Sequence, residues 1–172
     1  MRKILLIAVA TFSLIACGCI EGENNESFDR EGALEFSLKV VRTYFDNDME
    51  GFISYLADEL YSLEGDGPIS KDELAPSISA EDHVVDEDYT MYSMEEYTEV
   101  YDPRVMDVEE VESEYPGIVS SMESLGWDYG EDDYLFIGWE TKSGEEGPLW
   151  DDPLSFVVSH ESGEWRFKAF SG

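Results

Sequence analysis

Basic residues are scarce in this chain. Ten Lys and Arg stand against 41 Asp and Glu in 172 residues, a formal charge of −31. A nucleic-acid partner is excluded, because phosphate contacts need a basic face. Cysteine is scarcer still: Cys17 and Cys19 are the only two. Everything after them lacks a disulfide framework and a thiolate metal site. The two histidines, His83 and His160, are too few for a transition-metal centre without help from carboxylates. No nucleophile elbow, phosphate loop or dinucleotide fingerprint occurs. Gly126-Trp127-Asp128-Tyr129-Gly130 has the glycines but not the strand–turn–helix setting those motifs require. No cofactor is implied.

One long apolar run is present, and it opens the chain. Arg2 and Lys3 precede Ile4 to Ala16, which is apolar apart from Thr11 and Ser13. That length suits the core of a signal peptide, about 7–15 residues, better than a membrane span of about 20. The run ends in Leu14-Ile15-Ala16-Cys17-Gly18-Cys19. A Leu, a spacer and a small residue directly before Cys resembles the lipobox of prokaryotic lipoproteins, archaeal ones included. Leu14-Ile15-Ala16-Cys17 fits it best and Ala16-Cys17-Gly18-Cys19 acceptably. The resemblance implies residues 1–16 as signal peptide, lipid on Cys17 (alternatively Cys19), and residues 17–29 as a polar tether. It also implies a place on the outer face of the cell membrane. The competing reading is an ordinary secretory signal, with the two cysteines in a tight disulfide.

Residues 30–172 make one domain's worth of chain. Aromatic content of 13% is well above that of disordered acidic segments, so a packed core is expected. All 41 acidic residues but only eight of the ten basic ones follow the leader, a charge near −33. The plain reading is a solvated acidic surface of the kind halophiles carry, whose self-repulsion salt screens. The sharper one is recognition of cations or basic partners.

Hydrophobic spacing predicts two helices over 30–64. Leu34, Leu38, Val41 and Phe45 define the first, and Phe52, Ile53, Leu56, Leu60 and Leu63 the second. Ser70 and Glu73 form a capping box for a third helix, which Pro76 should keep short. His83 to Tyr92 alternates as a half-buried strand. Residues 93–126 turn helical again: Ser93 with Glu96 is a second capping box and Asp107 with Glu110 a related pair. Pro116 and Gly126 bound a last short helix. From Asp133 the chain is β. Tyr134 to Thr141 is apolar enough for both faces to be covered. Leu154–His160 and Glu164–Phe170 alternate around Ser162-Gly163. Counting outward from that turn sets Phe156 opposite Ala169, Val158 opposite Phe167 and His160 opposite Trp165.

A helix pair, a short Ser70-capped helix and then a sheet, closed by Gly163-Glu164-Trp165-Arg166-Phe167, resembles the nuclear-transport-factor-2-like (cone-fold, SnoaL-like) superfamily. The resemblance covers about residues 30–92 and 133–171. It implies an α+β fold with N-terminal helices packed on a strongly curved antiparallel sheet, enclosing a pocket. Residues 93–126 are then an extra helical segment, a departure from the simplest members. That superfamily holds isomerases and cyclases as well as non-catalytic binding modules. No motif here marks a matching catalytic residue.

The resulting expectation is a binding or interaction module for a small apolar ligand or a protein partner. The alternatives are an isomerase- or cyclase-type enzyme using carboxylate chemistry, and a weak cation-binding surface protein. Tyr44, Tyr89, Tyr97, Trp127 and Trp139 are candidate pocket aromatics, with ordinary core packing as their plain alternative; Trp150 belongs to the same set. Asp128, Glu131, Asp132 and Asp133 around Gly130 could offer Ca²⁺ hard oxygen ligands, against a plain solvated loop. Asp46-Asn47-Asp48-Met49-Glu50-Gly51 resembles the start of an EF-hand loop. Ala57 stands at position twelve, where that loop needs Glu, so the segment reads as an interhelical turn. His160 reads as a strand-end packing residue.

Overall fold

The computed structural model describes residues 25–62, 68–80, 93–145, 147 and 154–170. The leader with Cys17 and Cys19, the 83–92 strand with Tyr89, and Trp150 lie outside the described residues. Helix α1 spans Asn25–Phe45 and buries Ala33, Phe36, Ser37, Val40 and Val41, a stripe at helical spacing. Asn47, at φ 54°, turns the chain. Asp48 then accepts the Gly51 N–H at 2.9 Å and caps α2, Met49–Tyr55. A Cβ on Gly51 would lie 2.2 Å from an Asp48 carboxylate oxygen. The glycine is therefore explained by the cap, and the interhelical-turn reading stands.

The second predicted helix stops sooner than expected. At Leu56 the backbone becomes extended, with ψ 140°, and Leu56–Ser62 is strand β1. Leu56 and Leu60 are four residues apart, a spacing that a helix and a strand both satisfy. Sheet pairing decides between them, with Leu56 beside Phe167 and Tyr61 beside Ala169 on a parallel neighbour. Strand β2, Ile69–Ser70, runs antiparallel to β1. The Ser70–Glu73 box forms as expected, opening α3, Lys71–Ala80. Pro76 sits inside α3 rather than ending it.

The 93–126 segment is not purely helical. Both capping boxes are present, starting α4 at Met94–Val100 and α5 at Val108–Glu114. Between them Arg104–Met106 forms β3, which pairs with β4, Asp133–Ile137. Three residues are too few to show a period, and their partner is some thirty positions away. Helix α6 spans Ile118–Ser124. β5 is Ser155–Glu161 and β6 is Glu164–Phe170.

The strands form one open sheet in the order β2-β1-β6-β5-β4-β3. It is mixed rather than antiparallel, because β1 runs parallel to β6. All five residues of β4 are buried, and they alternate between two cores. Tyr134 and Phe136 join Phe156, Val158 and Phe167 beneath α1. Leu135 and Ile137 join Val157, Ala169, Val111, Val119 and Met122 beneath α5 and α6. Helices α2, α3 and α4 pack on the α1 side, through Phe52, Leu74 and Tyr97. The sheet thus lies between two helical layers.

The closing hairpin turns at Ser162 and Gly163, with φ of 53° and 88°, the signs a type I′ two-residue turn needs. Val158 faces Phe167 and His160 faces Trp165, as counted. Beyond them the register slips by one: Val157 faces Ala169, and Phe156 faces Phe170 rather than Ala169. A β-bulge at Lys168 causes the slip. It returns Phe170 to the face of Phe156, where it packs against the α1 core, and sends Ala169 to the other core.

Phe167 is 5% exposed, with the rings of Phe52 and Phe156 at 5.4 and 5.0 Å. Phe167→Ala should cost about 3–5 kcal/mol of unfolding free energy, as large-to-small core changes do. Trp165→Ala, at a half-buried site, should cost less. Urea denaturation of both variants checks the order.

Candidate functional site

The loop after α6 builds one wall of a cleft. Leu125 ends the helix and Gly126 follows at φ 88°. The Gly126 N–H donates to the Glu123 carbonyl at 3.0 Å, and the Trp127 N–H to the Met122 carbonyl at 3.1 Å. This is a Schellman cap, and its usual apolar contact two residues past the end is supplied by Trp127. The indole turns inward with Met122 and stacks on Tyr61, 5.1 Å away at 21°. Tyr129 meets Trp127 edge-on at 5.4 Å. The Tyr129 hydroxyl is buried and completes no hydrogen bond; the Leu135 N–H is near but poorly placed. Burial raises its pKa above the usual phenol value.

Asp133 fastens the loop to the sheet. Its Oδ2 accepts the Gly130 N–H at 2.8 Å, and the Ser159 side chain is a second hydrogen-bond partner. Ser159 is its cross-strand neighbour. The His160 N–H donates to the Asp132 carbonyl at 2.9 Å. Asp133 and Ser159 are each 5% exposed. Lys168, the bulged residue, lines the same cleft and pairs with Glu161. Tyr61, Trp127, Asp133, Ser159 and Lys168 converge on a half-open volume of about 430 Å³, within the range of small-molecule sites.

The sequence candidates separate. Among the pocket aromatics, Trp127 lines this cleft. Tyr97 is buried on the α1 side, where its hydroxyl donates to the Gly138 carbonyl at 2.7 Å. Trp139 is half-buried against the α5–α6 core, and Tyr44 is 47% exposed. Asp128, Glu131 and Asp132 are exposed at the cleft rim while Asp133 points inward. No three His, Asp or Glu side chains among the described residues converge to hold a metal ion. The His160 ring leans on Trp165 at 4.9 Å, as expected of a strand-end packing residue. Sequence reasoning missed Tyr61, which it placed in a helix, and Ser159 and Lys168. The alternation of β6, which sets Lys168 on the face opposite Trp165 and Phe167, was the available signal for the lysine.

No family model, curated protein or solved structure matches the chain. No helix among the described residues is long and apolar enough to cross a membrane.

Burial raises the Asp133 carboxyl above the usual aspartate range. The Gly130 N–H, the Ser159 hydroxyl and Lys168 pull it down, and Glu161 pushes it up. A raised folded-state pKa means the folded state binds the proton more tightly than the unfolded one. This group's contribution to stability therefore falls as pH climbs from its ordinary value through the folded one. Asp133→Asn has no such proton to lose. Its melting temperature relative to the parent should rise from about pH 3.5, near the ordinary aspartate pKa, and level off once the parent carboxyl is ionised. A difference that narrows over that interval contradicts the assignment.

Proposed function

We propose that this chain is an exported protein, lipid-anchored through Cys17 or Cys19 at the outer membrane face, whose folded part binds a small polar molecule. The binding reading is carried by the cleft, where Asp133, Ser159 and Lys168 meet the stacked Tyr61–Trp127 pair. Buried polar groups converging on an open, aromatic-walled volume are the usual marks of a ligand site. The anchor reading is supported by the lipobox-like Leu14–Cys17 and the short apolar leader.

The order of elements, with α1 against one face of the sheet and Trp165 in the closing strand, supports a nuclear-transport-factor-2-like domain. The parallel β1–β6 junction and the second helical layer depart from the simplest cone. In such a cone the ligand lies between helix and sheet. Here Phe36, Val40, Val41, Phe156 and Phe167 occupy that layer, which favours the opposite face. The lining is polar, which moves the favoured ligand from apolar to polar.

A second reading, an enzyme of the isomerase or cyclase type, draws on Asp133. A buried carboxyl with a raised pKa is suited to proton exchange. Its bonds to Gly130 and Ser159 already give it a structural task.

Replacing both Cys17 and Cys19 with Ser removes every thiol. The parent should partition into detergent and stay with membranes through a salt wash, while the variant should be soluble, since the apolar run is too short to span. A variant that still pellets with membranes refutes the lipid anchor.

A further inference from the structure

The cleft is short of cations. Among the described residues of its lining Lys168 is the one Lys or Arg, and it pairs with Glu161. Asp133 faces the same space, bonded to the Gly130 N–H and the Ser159 side chain, with the attraction of Lys168 opposed by the repulsion of Glu161. Most of its surface is out of water, where an ionised carboxylate whose counter-charge is shared with a second carboxylate is unfavourable. Asp128, Glu131 and Asp132 stand at the rim and add negative potential that a half-open cleft concentrates. Elsewhere in the described residues basic side chains do find carboxylates: Arg30 bonds Asp107 and Glu110, and Arg104 bonds Glu114 and Glu140. Among the described residues, the buried carboxylate at the foot of the cleft has only Lys168 near it, a cation it shares with Glu161.

The missing positive charge has a recognisable chemistry. A divalent metal needs several oxygen ligands closing on one point, and no three carboxylates among the described residues do so. A volume of about 430 Å³ also greatly exceeds what a bare ion fills. Tyr61 and Trp127, each 7% exposed, show the cleft a small aromatic surface against which methylene groups can lie. We propose that the cleft binds a small organic cation, an alkylammonium compound, with its charge against Asp133 and its carbon chain along Tyr61 and Trp127. This rests on the reading of the cleft as a ligand site and goes further by naming the ligand's class.

The test uses the full-length chain in detergent micelles at physiological salt. The probes are putrescine, its neutral counterpart 1,4-butanediol, its anionic counterpart succinate, and calcium chloride, each titrated by calorimetry and followed by amide NMR. Putrescine should bind saturably to one site and shift the Gly130, Asp133, Ser159 and Lys168 amides. Butanediol, succinate and Ca²⁺ should leave them in place. Asp133→Asn should weaken putrescine at least tenfold. Asp128→Asn, an exposed rim change that disturbs no described hydrogen bond, should weaken it about threefold and serves if the Asp133→Asn change perturbs folding. Glu95→Gln on α4 should change nothing.

Saturable succinate or butanediol binding at those amides overturns the cationic class and leaves the cleft standing as a site. Calcium that saturates there and displaces putrescine overturns it in favour of a metal. Putrescine shifts spread over the whole acidic surface, unaltered by Asp133→Asn, mean counterion condensation and overturn it too. Silence from all four probes overturns this inference together with the cleft reading beneath it.

Discussion

All five residues of strand β4 are buried, and the other elements are placed by the need to cover its two faces. Tyr134 and Phe136 point toward α1, while Leu135 and Ile137 point toward α5 and α6. A sheet exposed on one face would need half of those side chains to be polar. This one needs helices on both sides, and the chain supplies them from separate stretches. α1 to α4 close one face, and α5 and α6 arrive after β3 has carried the chain to the sheet edge. Arg30 ties the start of α1 to the cap of α5 through Asp107 and Glu110, at 2.5 and 2.7 Å. The pairs are partly exposed, so they set orientation more than stability.

The cleft follows from how the second layer ends. The Schellman cap after α6 turns Trp127 into the core and leaves the next few residues looping above the sheet. Asp133 pins that loop through the Gly130 N–H. The bulge in β6 places Lys168 and Ala169 both toward the α5–α6 side, one lining the cleft and the other beneath it. A regular β6 would have sent Ala169 and Phe170 to the wrong cores. One irregularity therefore completes both cores, while Lys168 keeps the cleft-facing side that ordinary alternation after Phe167 gives it.

Much of this was legible where local chemistry fixes the answer. Ser93–Glu96 and Asp107–Glu110 start helices because the serine or aspartate and the glutamate satisfy each other's backbone donors. Ser162-Gly163 makes a two-residue turn because both positions take positive φ. The illegible parts depend on partners distant in sequence. Leu56 and Leu60 fit a helix as well as a strand until β6 is beside them. Arg104–Met106 is a strand because β4 pairs with it. A bulge at Lys168 cannot be counted from the turn, because it shows only when Ala169 and Phe170 must each find a core. The site was half legible: the acidic loop around Gly130 and Trp127 stood out, whereas Tyr61, Ser159 and Lys168 reach it only through the sheet.

The central claim is that neighbouring residues of one strand serve opposite cores. Methyl-resolved nuclear Overhauser spectra of selectively labelled valines test it most directly. Val157 and Val158 are both fully buried and adjacent in β5. Val157 methyls should show contacts to the side chains around Met106, Val119 and Met122, and none to α1. Val158 methyls should show contacts to the cluster around Phe36, Val40 and Phe167, and none to α5 or α6. Both valines reporting on the same cluster would contradict the two-layer account.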